Sequence, residues 1–133
     1  MMSSKAATWL LAGFAFCPAR LVAQDETRWA TVFADSAEAI SLDTTSITPL
    51  GDSTYQVWER SVSRPSNRLR VLARADFDCR SRLTRAVAVA LPGFAPVPAS
   101  EDDRKWTQIL PASAHEAELR QLCPEGGGAS GPR

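Results

Sequence analysis

Histidine occurs once, at His115, and none of the three cysteines belongs to a Cys-x-x-Cys pair. A single imidazole leaves little room for a Ser/His/Asp or Cys/His arrangement, which needs a base held beside an activated nucleophile. Its neighbour Ser113 is better explained as a helix cap, so no catalytic residue is expected and the chain is read as non-enzymatic. Glycine-rich loops are missing as well. Four of the seven glycines fall in the closing stretch Gly126–Arg133, so no loop is available to cradle phosphate. Long apolar runs are also lacking: Ala6–Cys17, at 12 residues, is too short for a bilayer-spanning helix, which needs about 20. Nor does one sign of charge dominate, since 15 basic residues balance 15 acidic ones.

What is present is an ordinary globular composition, 44% hydrophobic and 23% charged over 133 residues, enough for one domain. Residues 1–23 read as a secretory signal. Lys5 supplies a positive start and the apolar run follows it. Small-residue cleavage contexts come at Ala19 and at Leu21-Val22-Ala23, with Ala23–Gln24 preferred and Ala19–Arg20 the alternative. Cys17 is preceded by the bulky Phe16, where a lipobox wants a small residue, so it reads as part of the apolar run. A lipid anchor is therefore not expected. Cleavage removes Lys5 and Arg20, leaving the mature chain at about −2.

Two cysteines then remain, Cys79 and Cys123. An even pair in an exported chain reads as a disulfide, because the compartment is oxidising. Two free thiols or half a metal site are the competing reading.

The chain from 24 to 124 reads as one domain, followed by a disordered tail from 125 to 133. Trp29–Ala34 and Ala37–Leu42 have strand character. Asp43-Thr44-Thr45-Ser46 forms a turn capped by Asp43, and Pro49, Gly51 and Asp52 mark the next turn. Thr54–Val62, Leu69–Phe77 and Arg82–Leu91 form a meander, broken at Arg64-Pro65-Ser66-Asn67 and at Asp78–Ser81. Leu69–Phe77 alternates with period two: Leu69, Val71, Ala73, Ala75 and Phe77 on one face, Arg70, Leu72, Arg74 and Asp76 on the other. Pro92–Asp103 reads as an exposed, mobile loop, and Trp106–Leu110 as a last short strand. Ser113 and Glu116 form a capping box opening a helix whose apolar side is Ala117, Leu119 and Leu122, stopped by Pro124. The fold class is α+β: an antiparallel sheet of five to six strands with one C-terminal helix, stapled by one disulfide.

Two carboxylate groupings invite chemistry and do not sustain it. Glu101-Asp102-Asp103 reads as a solvated loop face. Asp76 and Asp78 read as a surface charge pair beside Arg74 and Arg80, with calcium as the lesser alternative. No metal or cofactor site is expected. The unusual feature is arginine: Arg60, Arg64, Arg68, Arg70, Arg74, Arg80, Arg82 and Arg85 lie in the meander, opposed there by Glu59, Asp76 and Asp78. Such a patch suits an anionic glycan, a lipid headgroup or an acidic protein surface, with Arg70, Arg74, Arg82 and Arg85 as candidate partner-binding residues. The alternative is that the arginines solvate an open sheet face, their stems lying across apolar surface. Nucleic acid is not expected, since the chain reads as exported and no aromatic-studded strand lies beside the arginines. An open sheet edge offers a route to a homodimer.

Several segments, taken in order, resemble the surface-adhesin protein E family. Ile40–Ile47 is similar to its aspartate-to-serine-isoleucine opening, and Val57-Trp58 to its strand tryptophan. Phe77-Asp78-Cys79 followed by Arg82 resembles its Asp-Cys turn. Trp106–Ser113 through Glu116 to Cys123 is similar to its closing motif. The resemblance covers roughly residues 28–123. It implies a small envelope protein with an antiparallel sheet, a C-terminal helix and a disulfide between these two cysteines. The family's named member is an adhesin that binds host proteins and can dimerise. Many relatives carry a lipobox, which this chain lacks, so a soluble periplasmic, outer-surface or secreted product is expected. The family has no shared catalytic residues to transfer. The expected function is an exported macromolecule-binding module, or alternatively an accessory periplasmic protein without a host ligand.

Overall fold

The computed structural model describes residues 26–124. The signal-like segment, its cleavage bonds and the tail from 125 onward lie outside the described residues. In chain order the elements are β1 Trp29–Ala34, β2 Glu38–Asp43, β3 Thr48–Gly51, β4 Thr54–Ser63, β5 Leu69–Asp78, β6 Leu83–Ala90, β7 Val97–Pro98, β8 Thr107–Gln108 and α1 Ala114–Leu122. They form an antiparallel sheet of order β1-β2-β4-β5-β6-β7, with β3 paired to β4 and β8 to β6. No helix among the described residues is long and apolar enough to cross a membrane.

The α+β architecture is the expected one, and the cysteines are joined: Cys79 at the end of β5 bonds Cys123 at the end of α1. One face of the sheet is covered by α1. Leu42, Val57, Ala75, Phe77, Cys79 and Ile109 pack there against Leu119 and Leu122 of α1. Alternation along β4 and β5 sends every second residue into this layer, which is why Val57, Ala75 and Phe77 are buried.

Local chemistry fixes the joints. Asp43 Oδ1 accepts the Thr45 amide at 3.0 Å and the Thr45 hydroxyl at 2.6 Å, closing the turn between β2 and β3. β2 and β3 share β4 as partner, and the gap between them falls at Trp58. There the Ser46 hydroxyl accepts the Trp58 amide at 2.9 Å in place of a ladder carbonyl. At the helix start the Ser113 hydroxyl accepts the Glu116 amide at 3.2 Å, and the Glu116 carboxylate accepts the Ala112 amide. That amide, with Arg120 and Arg82, holds the Glu116 carboxyl below its usual range. Replacing Ser113 by alanine is expected to lower stability by about 1 kcal/mol, read by urea denaturation; an unchanged midpoint would mean that Glu116 alone fixes the helix start.

Four expectations are corrected. Pro49 and Gly51, read as a turn, lie in β3, a short strand paired only with β4. There the missing proline N–H has no ladder to break on its outer side. The loop Pro92–Asp103 is exposed as expected except at Ala99, but it is tied down: Val97 and Pro98 pair with β6, and Ser100 bonds Asp103 at 2.7 Å. The last strand is only Thr107–Gln108, held by Leu83 and Thr84. Asp76 is no surface charge. It is 1% exposed, with Gln56 Nε2 donating to one oxygen at 2.9 Å and Arg85 Nε to the other at 3.0 Å. Asp78 instead caps a turn, accepting the amides of Arg80 and Ser81.

Candidate functional site

Residues directly opposite in an antiparallel pair point to the same side of the sheet. The registers Trp29↔Asp43, Ser41↔Arg60, Trp58↔Arg74, Arg60↔Leu72 and Asp76↔Arg85 therefore assign these side chains to one side, away from α1. Three tryptophans sit along this side, each against arginine. The Arg60 guanidinium carbon lies 4.7 Å from the Trp29 ring centre and that of Arg28 5.4 Å from it. Arg74 lies over Trp58 at 5.7 Å, and Arg85 over Trp106 at 4.4 Å. Each such contact contributes about 0.5–2 kcal/mol, rising with desolvation, and holds the guanidinium plane in one orientation.

Carboxylates brace the stacks from behind. Glu26 takes two hydrogen bonds from Arg60, at 3.2 and 2.9 Å, and these bonds first, then the arginine's charge, hold its carboxyl below the usual range. Arg85 is anchored by buried Asp76, and Arg28 Nε lies 3.5 Å from Asp43. The Nε–H groups of Arg60 and Arg74 are buried without a hydrogen-bond partner among the described residues. A cleft of about 650 Å³ opens over this side, lined by Trp29, Arg60, Arg64, Leu69 and Leu72 among others. Beside it a smaller one of about 310 Å³ includes Trp58, Leu72 and Pro96.

The four arginines singled out in the sequence divide between the two sides. Arg74 and Arg85 are on the tryptophan side. Arg70 falls where the β4–β5 register slips between Ser61 and Val62, and its guanidinium lies 3.8 Å from Glu38, which accepts from Ser61 on the helix side. Arg82 reaches Glu116 at the helix start. The sequence also offers no aromatic-studded strand beside the arginines, whereas folding brings Trp29, Trp58 and Trp106 against them. These tryptophans come from three distant segments, and of their arginine contacts only that between the chain neighbours Arg28 and Trp29 is local.

The helix side holds a second grouping. Glu118 on α1 is 1% exposed and lies against Glu59 of β4. Burial first, then the Glu59 carboxylate beside it, pushes the Glu118 carboxyl up to about 11. His115, one turn earlier on α1 and exposed, completes the group and meets Phe77 edge-on at 6.3 Å. Glu59 and Glu118 were missed as a pair because 59 positions separate them. The i, i+3 spacing of His115 and Glu118 was legible.

No family model matches the chain, and neither does any curated protein or solved structure.

Proposed function

We propose that this chain is an exported, non-enzymatic binding module whose tryptophan–arginine face takes a polyanionic glycan. The observation that carries the reading is the row of three Trp–Arg stacks on the side of the sheet away from α1. Indole faces offer flat apolar area to the C–H side of a sugar ring. Guanidinium forks match sulfate or carboxylate in bidentate fashion, as Arg60 already does with the exposed Glu26 carboxylate. Export is supported by the signal-like N-terminus and is compatible with the Cys79–Cys123 bridge. The order of segments resembling the surface-adhesin protein E family implies an exported envelope protein as well.

The test uses the disulfide-bonded chain 24–133 with heparin as probe and neutral dextran as control. Salt-dependent heparin binding is expected, with Arg74→Glu and Trp58→Ala each weakening it by about tenfold or more. Circular dichroism checks that both variants remain folded. Undiminished binding in both variants would remove this face from consideration. Tighter binding to phosphatidylglycerol vesicles or to a single-stranded oligonucleotide would change the ligand class. No binding to any of these favours the accessory periplasmic role.

A further inference from the structure

We propose that Glu59, His115 and Glu118 form a binding site for one divalent transition-metal ion of the zinc type. The site lies on the helix side of the sheet, so it does not depend on the tryptophan–arginine face. His115 and Glu118 stand three residues apart on α1 and share a face of the helix, while Glu59 rises from β4 beneath them. One ligand atom from each lies within 4.8 Å of the other two. Around a tetrahedral cation with bonds of about 2.1 Å such atoms stand about 3.4 Å apart, so small side-chain rotations close the set onto an ion.

A second observation separates this group from an ordinary cluster of acids. With both acids ionised, the buried Oε2 atoms of Glu59 and Glu118 find no donor among the described residues, and Glu118 as a residue is 1% exposed. A buried carboxylate oxygen without a donor is costly, and natural structures pair such oxygens or give them to a metal. A shared cation would satisfy both oxygens at once. Exposed His115 forms the outer wall and gives the ion a way in. One imidazole nitrogen and two carboxylates make a borderline donor set. Calcium, which takes six to eight oxygens, is disfavoured; zinc or cobalt fits. Three protein ligands leave a fourth position open to water or to a group brought by a partner.

The experiment uses the disulfide-bonded chain 24–133, carrying a histidine-free tag, stripped with chelator and then loaded with Zn²⁺ or Co²⁺. One ion per chain is expected by elemental analysis after gel filtration. The Co²⁺ form should show the intense visible bands of a four-coordinate centre, and metal should raise the melting temperature. Glu118→Gln and His115→Ala should each weaken binding beyond the roughly 10–100-fold that loss of an outer-shell partner brings. Asp102→Asn, at an exposed acid of the loop, should leave it intact. His115 is exposed, so its alanine variant reads the site without altering a buried residue. Failure of the wild type to hold one ion overturns the proposal, as does full occupancy in His115→Ala. Either result leaves a pair of glutamates sharing a proton.

Discussion

Replacing Cys79 and Cys123 together by alanine is expected to lower stability by about 4 kcal/mol. The bridge closes 44 residue steps, and the loop-entropy relation assigns that much to a loop of this length. The position of the bridge makes the loss severe. α1 has only nine residues, too few to be stable alone, and it is held to the sheet by Leu119, Leu122 and this bond. Cys79 is itself 1% exposed within the core, so the alanine at 79 also leaves a small void. Domains of this size have about 5–15 kcal/mol in total, so the variant should sit near the margin of folding, its melting temperature lower by roughly 16–30 °C. Urea denaturation of the oxidised wild type beside the double variant measures it. A difference under about 1 kcal/mol would mean that the helix docks by packing alone and that the unfolded chain is already compact.

The meander was legible because β4, β5 and β6 are long and bounded by turn residues. In β5 the alternation placed Ala73, Ala75 and Phe77 in the buried layer where they are found. The helix was legible because Ser113 and Glu116 carry their own capping chemistry. β3 and β7 were not, since each contains a proline, and a proline in a strand reads as a break unless one knows that the strand has a single partner. Arg70 was assigned to the wrong side for a related reason. Period-two counting fails at a bulge, and the slip between Ser61 and Val62 depends on pairing rather than on local composition.

The candidate sites follow the same division. Eight arginines in the meander announced a charged surface, but their partners decide what that surface is. Asp76 looks like a solvated acid in sequence and becomes the buried anchor of Arg85 only because β6 lies beside β5. Trp29 and Trp106 reach Arg60 and Arg85 through the first strand and the last loop, far in sequence from those arginines. The glutamate pair is the extreme case. Glu59 counts in sequence as one more counter-charge to the arginines, whereas β4 turns it to the opposite side of the sheet, against α1.

That pair sets the other large effect. In chelator-treated protein, Glu118→Gln is expected to be more stable than the wild type by about 3 kcal/mol at pH 7, and nearly equal to it at pH 4. The Glu118 carboxyl is raised from 4.5 to about 11 in the folded chain, by burial and by Glu59. Between those values the folded state keeps a proton that the unfolded state releases. The contribution of this group to stability is therefore greatest below about 4.5 and falls as pH rises, by about 1.4 kcal/mol per unit, which over the span to neutrality gives the 3 kcal/mol. Glu59 of β4 and His115 of α1 are the titratable groups facing this carboxyl. Glutamine has the same shape, stays neutral at every pH and offers an N–H to Glu59, so its curve should lose this slope. Urea midpoints for both proteins from pH 4 to pH 8 decide it. Parallel curves would mean that the folded chain carries Glu118 ionised, with water or another donor reaching its carboxylate.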